Sequence, residues 1–229
     1  QRPMPKSVTV TSAIDAADDM VVCQTAQDLD ALLTAPSVPS LYLSHNHADL
    51  EGVSPDRIER SCTRLVSIST KKRDSWYAAG YRDPVRIIRP GIDPADYADT
   101  QWTGGGGYLL SVVNGIHRPL FDMNGWVRSA AYAPARQVGS PNTGIPGGIP
   151  GVVGPAPSWG ALKNEYRRCS VYVNLTKPPY EDEHNLAALE ALAIGCPVAN
   201  LHGRPPDVRD FPIEAFRENW LGVLSEVAR

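Results

Sequence analysis

The sequence predicts an α/β protein built on parallel sheets. Short apolar runs alternate with helix-like stretches from residue 20 to residue 88. Strands joined through helices pair in parallel, with right-handed crossovers. A second series of the same kind follows a four-glycine run at residues 104–107. The chain of 229 residues suffices for one large or two small domains, and the glycines mark the expected flexible joint between them.

The elements follow in order. Residues 7–12, SVTVTS, alternate as a strand does. Met20-Val21-Val22-Cys23, after Asp18-Asp19, has the pattern of a buried strand. Residues 26–33 read as a helix, and 41–44 as a strand ending in His45-Asn46-His47. A helix over 55–62, a strand over 65–68, a helix over 70–80 closed by Gly80 and a strand over 85–88 complete the first series. It runs into Arg89-Pro90-Gly91-Ile92-Asp93. Past the glycines, 108–113 is a buried strand, 126–131 a short helix and 136–139 a strand. Residues 142–157 are nearly all turn-formers around Val152-Val153. Then come a helix over 158–169 and a strand over 170–174. Residues 213–227 form a last amphipathic helix, with Ile213, Phe216, Trp220, Leu224 and Val227 on one face.

Composition bounds the function. Hydrophobic content of 42% and charged content of 21% describe an ordinary globular protein. A net charge of −3 gives no global attraction to nucleic acid or anionic membrane. No run approaches the ~20 apolar residues of a membrane span. The start, QRPMPKSVTV, lacks a signal-peptide core. Cys23, Cys62, Cys169 and Cys196 have no metal-like spacing and read as reduced, separate thiols of a cytoplasmic protein.

The stretch 180–199, YEDEHNLAALEALAIGCPVA, organises the second half. Asn185 suits the N-cap of a helix over 186–193, and Gly195 suits the left-handed position that ends it. Glu190 stands among Leu186, Ala187, Ala188, Leu189, Ala191, Leu192 and Ala193. A carboxylate there either faces solvent or is held for a purpose, because burying an unpaired charge is costly. Hydroxyl groups of a ligand would serve as its partners, and the helix start would suit a phosphate.

These residues resemble the signature of the glycosyl transferases group 1 family, retaining sugar-nucleotide enzymes of the GT-B fold. Asp182 and Glu190 have the spacing of its two acidic positions, and ALAIGCPV follows as in the family motif. Asp182 stands for the usual Glu, and Glu183 and Asn185 replace two glycines. The segment VSIST with its Lys-bearing helix, the turn RIIRPGID and the stretch ALKNEYRRCSVYVNLT resemble further family segments in the same order. The resemblance implies a GT-B-like fold, two Rossmann-like domains with parallel sheets facing a cleft. The expected division is 1–100, a shortened acceptor-side domain, and 101–229, the nucleotide-sugar domain, itself shortened around 142–157.

The resemblance also implies roles. Glu190 binds the ribose, Asp182 touches the transferred sugar, and the backbone between them, through Glu183, Asn185 and Leu186, meets the diphosphate. His45 falls near a family histidine beside the reacting sugar. Arg118 corresponds to a phosphate-binding Arg, while Asn124 stands where the family has Lys; Lys177 or Arg204 is the replacement cation. No metal or cofactor is implied, because basic side chains and helix N-termini take the metal's role. The donor substrate is a nucleoside diphosphate sugar such as a UDP- or GDP-sugar. The acceptor hydroxyl is open between a glycan, a lipid-linked acceptor, a small molecule and modified DNA. The reading is thus a hexosyltransferase acting with retention. Its rivals are a glycosyltransferase of modified DNA bases and a non-catalytic relative that binds a sugar nucleotide or glycan.

Overall fold

The structure, a computed structural model, describes residues 20–34, 38–62, 64–140, 148–180, 185–202 and 212–227. The strand expected at 7–12, the first part of 142–157, and Asp182, Glu183 and Arg204 lie outside those residues. Among the described residues, 92–212 form one compact unit, and 20–91 with 213–227 form another. The division thus falls ahead of the glycine run, and the last helix is returned to the unit of the first strands.

The first unit holds strands β1 (Val21–Cys23), β2 (Ser40–Ser44), β3 (Arg64–Ser67) and β4 (Arg86–Ile87). All pair in parallel, in the order β1-β2-β3-β4. Their connections carry helices α1 (Ala26–Thr34), α2 (Ala48–Glu51), α3 (Pro55–Ser61) and α4 (Thr70–Ala78). Every crossover steps the same way, so right-handedness puts all four helices on one face. Strand periodicity follows suit. Tyr42 pairs with Leu65, and both pack with Leu29, Ile58 and Trp76 under those helices. Leu43 pairs with Val66, and these share the opposite face with Leu41 and Ile88. That face is covered by the final helix, α8 (Ile213–Val227), through Val223, Val227, Phe216 and Trp220.

The second unit holds β5 (Leu109–Val112), α5 (Met123–Ala130), β6 (Ala135–Val138), β7 (Val152–Gly154), α6 (Trp159–Arg168), β8 (Val171–Asn174), α7 (Leu186–Ala193) and β9 (Val198–Asn200). Its parallel sheet runs β7-β6-β5-β8-β9. The winding steps from β5 outward through β6 to β7, then returns past β5 to β8 and β9. The reversal divides the helices between two faces. Trp126 of α5 packs with Val113, Ile116, Val173 and Leu175. Tyr166 of α6 and Leu189 of α7 pack with Leu110, Val138 and Tyr172 on the other. The chain enters and leaves this unit side by side, at a parallel bridge between Ile92 and Pro212.

Three expectations need correction. Residues 142–157 were expected to be nearly all turn-formers around Val152-Val153, yet Val152–Gly154 pairs with β6, because two valines suffice for an edge strand. The glycine run is no free joint. Thr103 and Gly104 donate their N–H groups to Arg167 O, and Gly106 donates to Arg168 O at 2.7 Å, so the run caps the carboxyl end of α6. A Cβ on Gly106 would stand 2.7 Å from that same oxygen, so only glycine permits the approach. The thiols are not all separate either: Cys169 and Cys196, both buried, have sulfurs 3.3 Å apart.

Helix α8 is the sole cover of one sheet face among the described residues, so a charge on its buried side should unfold the first unit. Val223→Asp is expected to lose about 3 kcal/mol or more in urea unfolding. An unchanged midpoint would disprove the packing role of α8.

Candidate functional site

In an open α/β sheet, ligands bind beyond the carboxyl ends of the strands where the winding reverses. In the second unit that point lies between β5 and β8. The loop leaving β5 and the loop leaving β8 are stitched by an antiparallel bridge between Phe121 and Thr176. The Asp122 N–H donates to Leu175 O at 2.8 Å, and the Lys177 N–H donates to Leu120 O at 3.1 Å. On the β6 side, the Ser140 N–H donates to Asn114 Oδ1 at 2.9 Å, and Gln137 Nε2 donates to Val113 O at 2.7 Å. Gly139, at φ 152°, leaves β6 so close that a Cβ would lie 1.8 Å from Val113 O. The strand ends are therefore rigidly framed.

The mouth of α7 opens on this frame. Asn185 caps the helix, accepting from the Ala188 N–H at 3.1 Å, and its Nδ2 donates to Thr176 Oγ1 at 3.3 Å. Thr176 in turn donates its hydroxyl to Asn174 Oδ1 at 3.1 Å, at the last residue of β8. Asn174 and Thr176 are buried. Sequence reading missed this pair, because an Asn and a Thr after an apolar strand carry no motif. Leu186, the first residue of α7, is exposed, and Arg118 and Lys177 are half-buried on the two stitched loops. The structure thus places Arg118, Lys177, Asn185 and Leu186 at one end of one sheet. Basic side chains and the amide groups of a helix start are the kinds of group that hold an anion. Asp182 and Glu183 precede α7, outside the described residues.

Glu190 faces inward. It is 6% exposed, and its Oε2 accepts from the Tyr166 hydroxyl at 3.0 Å. Burial, with the Glu190 carboxylate beside it, pushes the Tyr166 phenol well above its ordinary pKa, so that it stays a proton donor. On the α5 side, Asp122 caps its helix by accepting from the Gly125 N–H at 2.8 Å, and its other oxygen lies 3.2 Å from His202 Nε2. Burial works against the ionised carboxylate. The Gly125 N–H, His202 and Arg128 outweigh it and hold the Asp122 pKa below the ordinary carboxylate value.

In the first unit, His45 follows β2 at its carboxyl end and is exposed. Its loop is held by Glu51 of α2. One carboxylate oxygen accepts from Ser44 Oγ and the Asn46 N–H, each at 2.8 Å, and the other accepts from the Tyr42 hydroxyl at 2.9 Å. Trp76 Nε1 donates to Ser44 Oγ at 2.9 Å. Desolvation at the strand end lowers the His45 pKa below its ordinary value, Glu51 opposes the shift, and Lys72 adds to it. The lowered pKa favours the neutral ring, which donates through one nitrogen and accepts through the other.

Parallel sheets and a winding reversal define an open α/β protein, the class in which ligands bind at the carboxyl ends of the strands. No protein-family model matches the chain, and no curated protein matches it. Among solved structures, the chain is similar to Anabaena Alr3699/HepE in complex with UDP-glucose, at a TM-score of 0.60 and 12% identity, over 91% of this chain and 68% of that one. A second structure of HepE, in complex with UDP and glucose, aligns at a TM-score of 0.59 and 12% identity, over 91% and 67%. At that identity the likeness is one of fold. Among the described residues, no helix is long and apolar enough to cross a membrane.

The low pKa of Asp122 gives a pH test. Its contribution is complete above the unfolded-state value of about 3.9 and is lost as pH falls through the lower folded value. Asp122→Asn, which keeps a capping oxygen, is expected to lower stability near neutral pH and flatten its decline below pH ~4. Asp122→Ala should lose a further ~1 kcal/mol with the cap. Urea unfolding across pH checks both, and identical pH slopes would remove the charge from the account.

Proposed function

We propose that the protein is a glycosyltransferase that uses a nucleoside diphosphate sugar, transferring a hexose to an acceptor hydroxyl with retention. The observation that carries the proposal is the coincidence of two independent features. The sequence stretch that resembles the family's donor-binding signature opens at the winding reversal, the place where physical argument alone puts a ligand. The similarity in fold to HepE, bound to UDP-glucose, favours the same class of donor.

In this reading the diphosphate lies at the start of α7, against the Asn185 and Leu186 amides, with Arg118 and Lys177 offsetting its charge as it leaves. Electrostatic stabilisation of that kind is preorganised, because the loops carrying the cations are pinned to each other. Asp182 and Glu183 contact the donor from the segment before α7, and Glu190 takes the ribose hydroxyls. His45 is the group beside the reacting sugar, on the strength of its strand-end loop and the resemblance. The protein works in the cytoplasm without a metal.

The non-catalytic rival has one observation in its favour. The Asn185 side chain, at a family glycine position, is committed at both ends, to the Ala188 amide and to Thr176. A thermal-shift screen of UDP, GDP and their hexose conjugates identifies the donor, since a ligand that binds only the folded state raises apparent stability. Transfer or hydrolysis of that donor then separates enzyme from binder.

Two outcomes are expected. Glu190→Ala should weaken donor binding by about 1.5–3 kcal/mol through lost charge-assisted hydrogen bonds. Tyr166→Phe, which removes one internal partner of Glu190, serves as the control for packing. Equal donor affinity in a folded Glu190→Ala protein, read by calorimetry, sinks the ribose assignment. Transfer should also survive a chelator; loss that magnesium or manganese restores would make the acidic run at 181–183 a metal site.

A further inference from the structure

On the α5 side of the same strand ends lies a cavity of about 350 Å³, lined by Asp122, Gly125, Arg128, Tyr132, Leu201 and His202 among others. Its size falls within the range of small-molecule sites. Asp122 and Leu201 close tightly over Gly125, where a Cβ would stand 2.4 Å from Asp122 Oδ2 and 2.7 Å from the Leu201 side chain. Neither the strand-end crevice nor the family signature includes this cavity.

The lining narrows the chemistry of the ligand. Asp122 lies 3.8 Å from the Arg128 guanidinium and 3.2 Å from the His202 ring. The carboxylate and guanidinium carry opposite charges, so the cavity offers no net field to select a phosphate or a cation. What it offers instead is a set of planar hydrogen-bonding groups: a carboxylate that accepts, a guanidinium that donates, and an imidazole. Beside them stand apolar surfaces. Tyr132 is 93% exposed and Leu201 is 36% exposed, so a flat ring and an aliphatic group meet water at the cavity. A ring with an apolar face and a polar tip suits a ligand that is itself two-sided. Hydroxyl groups around an edge and C–H groups on a face describe a sugar ring.

We propose that this cavity is a binding subsite for a neutral, hydroxyl-rich carbohydrate, distinct from the donor crevice between β5 and β8. Asp122, Arg128 and His202 bond the hydroxyls, and Tyr132 covers the C–H face. The binding does not rest on the glycosyltransferase reading. A surface ion pair with no ligand role is the bland alternative, since exposed pairs contribute little to stability.

The test is an amide NMR titration of the full chain with maltotriose, cellotriose and laminaritriose, and with inorganic phosphate as the anionic control. At least one trisaccharide is expected to shift the Gly125, Ser129 and His202 resonances at millimolar concentration, and phosphate is not. Tyr132→Ala, a change at an exposed position, should weaken that binding about tenfold. The proposal is overturned if no trisaccharide moves these resonances, if phosphate moves them instead, or if Tyr132→Ala binds as the parent does. A parallel thermal-shift measurement with UDP, GDP and their hexose conjugates keeps the two readings apart. Trisaccharide binding without a donor effect would leave the subsite and remove the glycosyltransferase reading. A donor effect without trisaccharide binding would do the reverse.

Discussion

Right-handed crossover is the constraint on which both units depend. A strand that feeds a helix and then a parallel neighbour has one permitted hand, so the direction of each step decides which face receives the helix. In the first unit every step goes one way, all connecting helices fall on one face, and Leu41, Leu43, Val66 and Ile88 are left for α8. In the second unit the steps reverse between β5 and β8, and both faces are covered from within. One rule thus leaves a bare face in one unit and two faces covered from within in the other.

Buried and half-buried carboxylates recur as organisers. Glu51 gathers Tyr42, Ser44 and Asn46 around the loop of His45. Glu165 takes both nitrogens of a bidentate Arg136 and the Tyr108 hydroxyl, while Arg136 also lies over the Tyr108 ring. Asp122 joins a helix cap to His202, and Glu190 joins α7 to Tyr166 of α6. A carboxylate taken from water must find such partners, and a satisfied network fixes its surroundings in one arrangement. The residues of the candidate site are placed by these networks as much as by the strands.

Much of the architecture was legible because periodicity is local. The apolar face of α8, the cap and stop of α7, and the strand at β2 all stand in the sequence, and the structure places those elements within a residue or so of the expectation. What was illegible depends on partners distant in the chain. The glycine run reads as a joint until Arg167 and Arg168 supply their carbonyls, more than sixty residues later. Val152-Val153 reads as a pause between turns until β6 offers an edge. The four-residue helix α2 has too few turns to show a period. In the site, the spacing of Asp182 and Glu190 and the cap at Asn185 were readable. The inward turn of Glu190 toward Tyr166, the Asn174–Thr176 pair and the Asp122–His202 contact were not, since each joins separate elements.

The return of α8 sets an order of events during synthesis. Residues 92–212 are contiguous, and their termini meet at the Ile92–Pro212 bridge, so this unit can close as soon as it has left the ribosome. The earlier unit cannot. Its strands emerge first, yet one face of their sheet waits until residues 213–227 have been made. For the time taken to translate the intervening unit, Leu41, Leu43 and Val66 are open apolar surface on the nascent chain, a stretch of biosynthesis in which a chaperone would find its binding site.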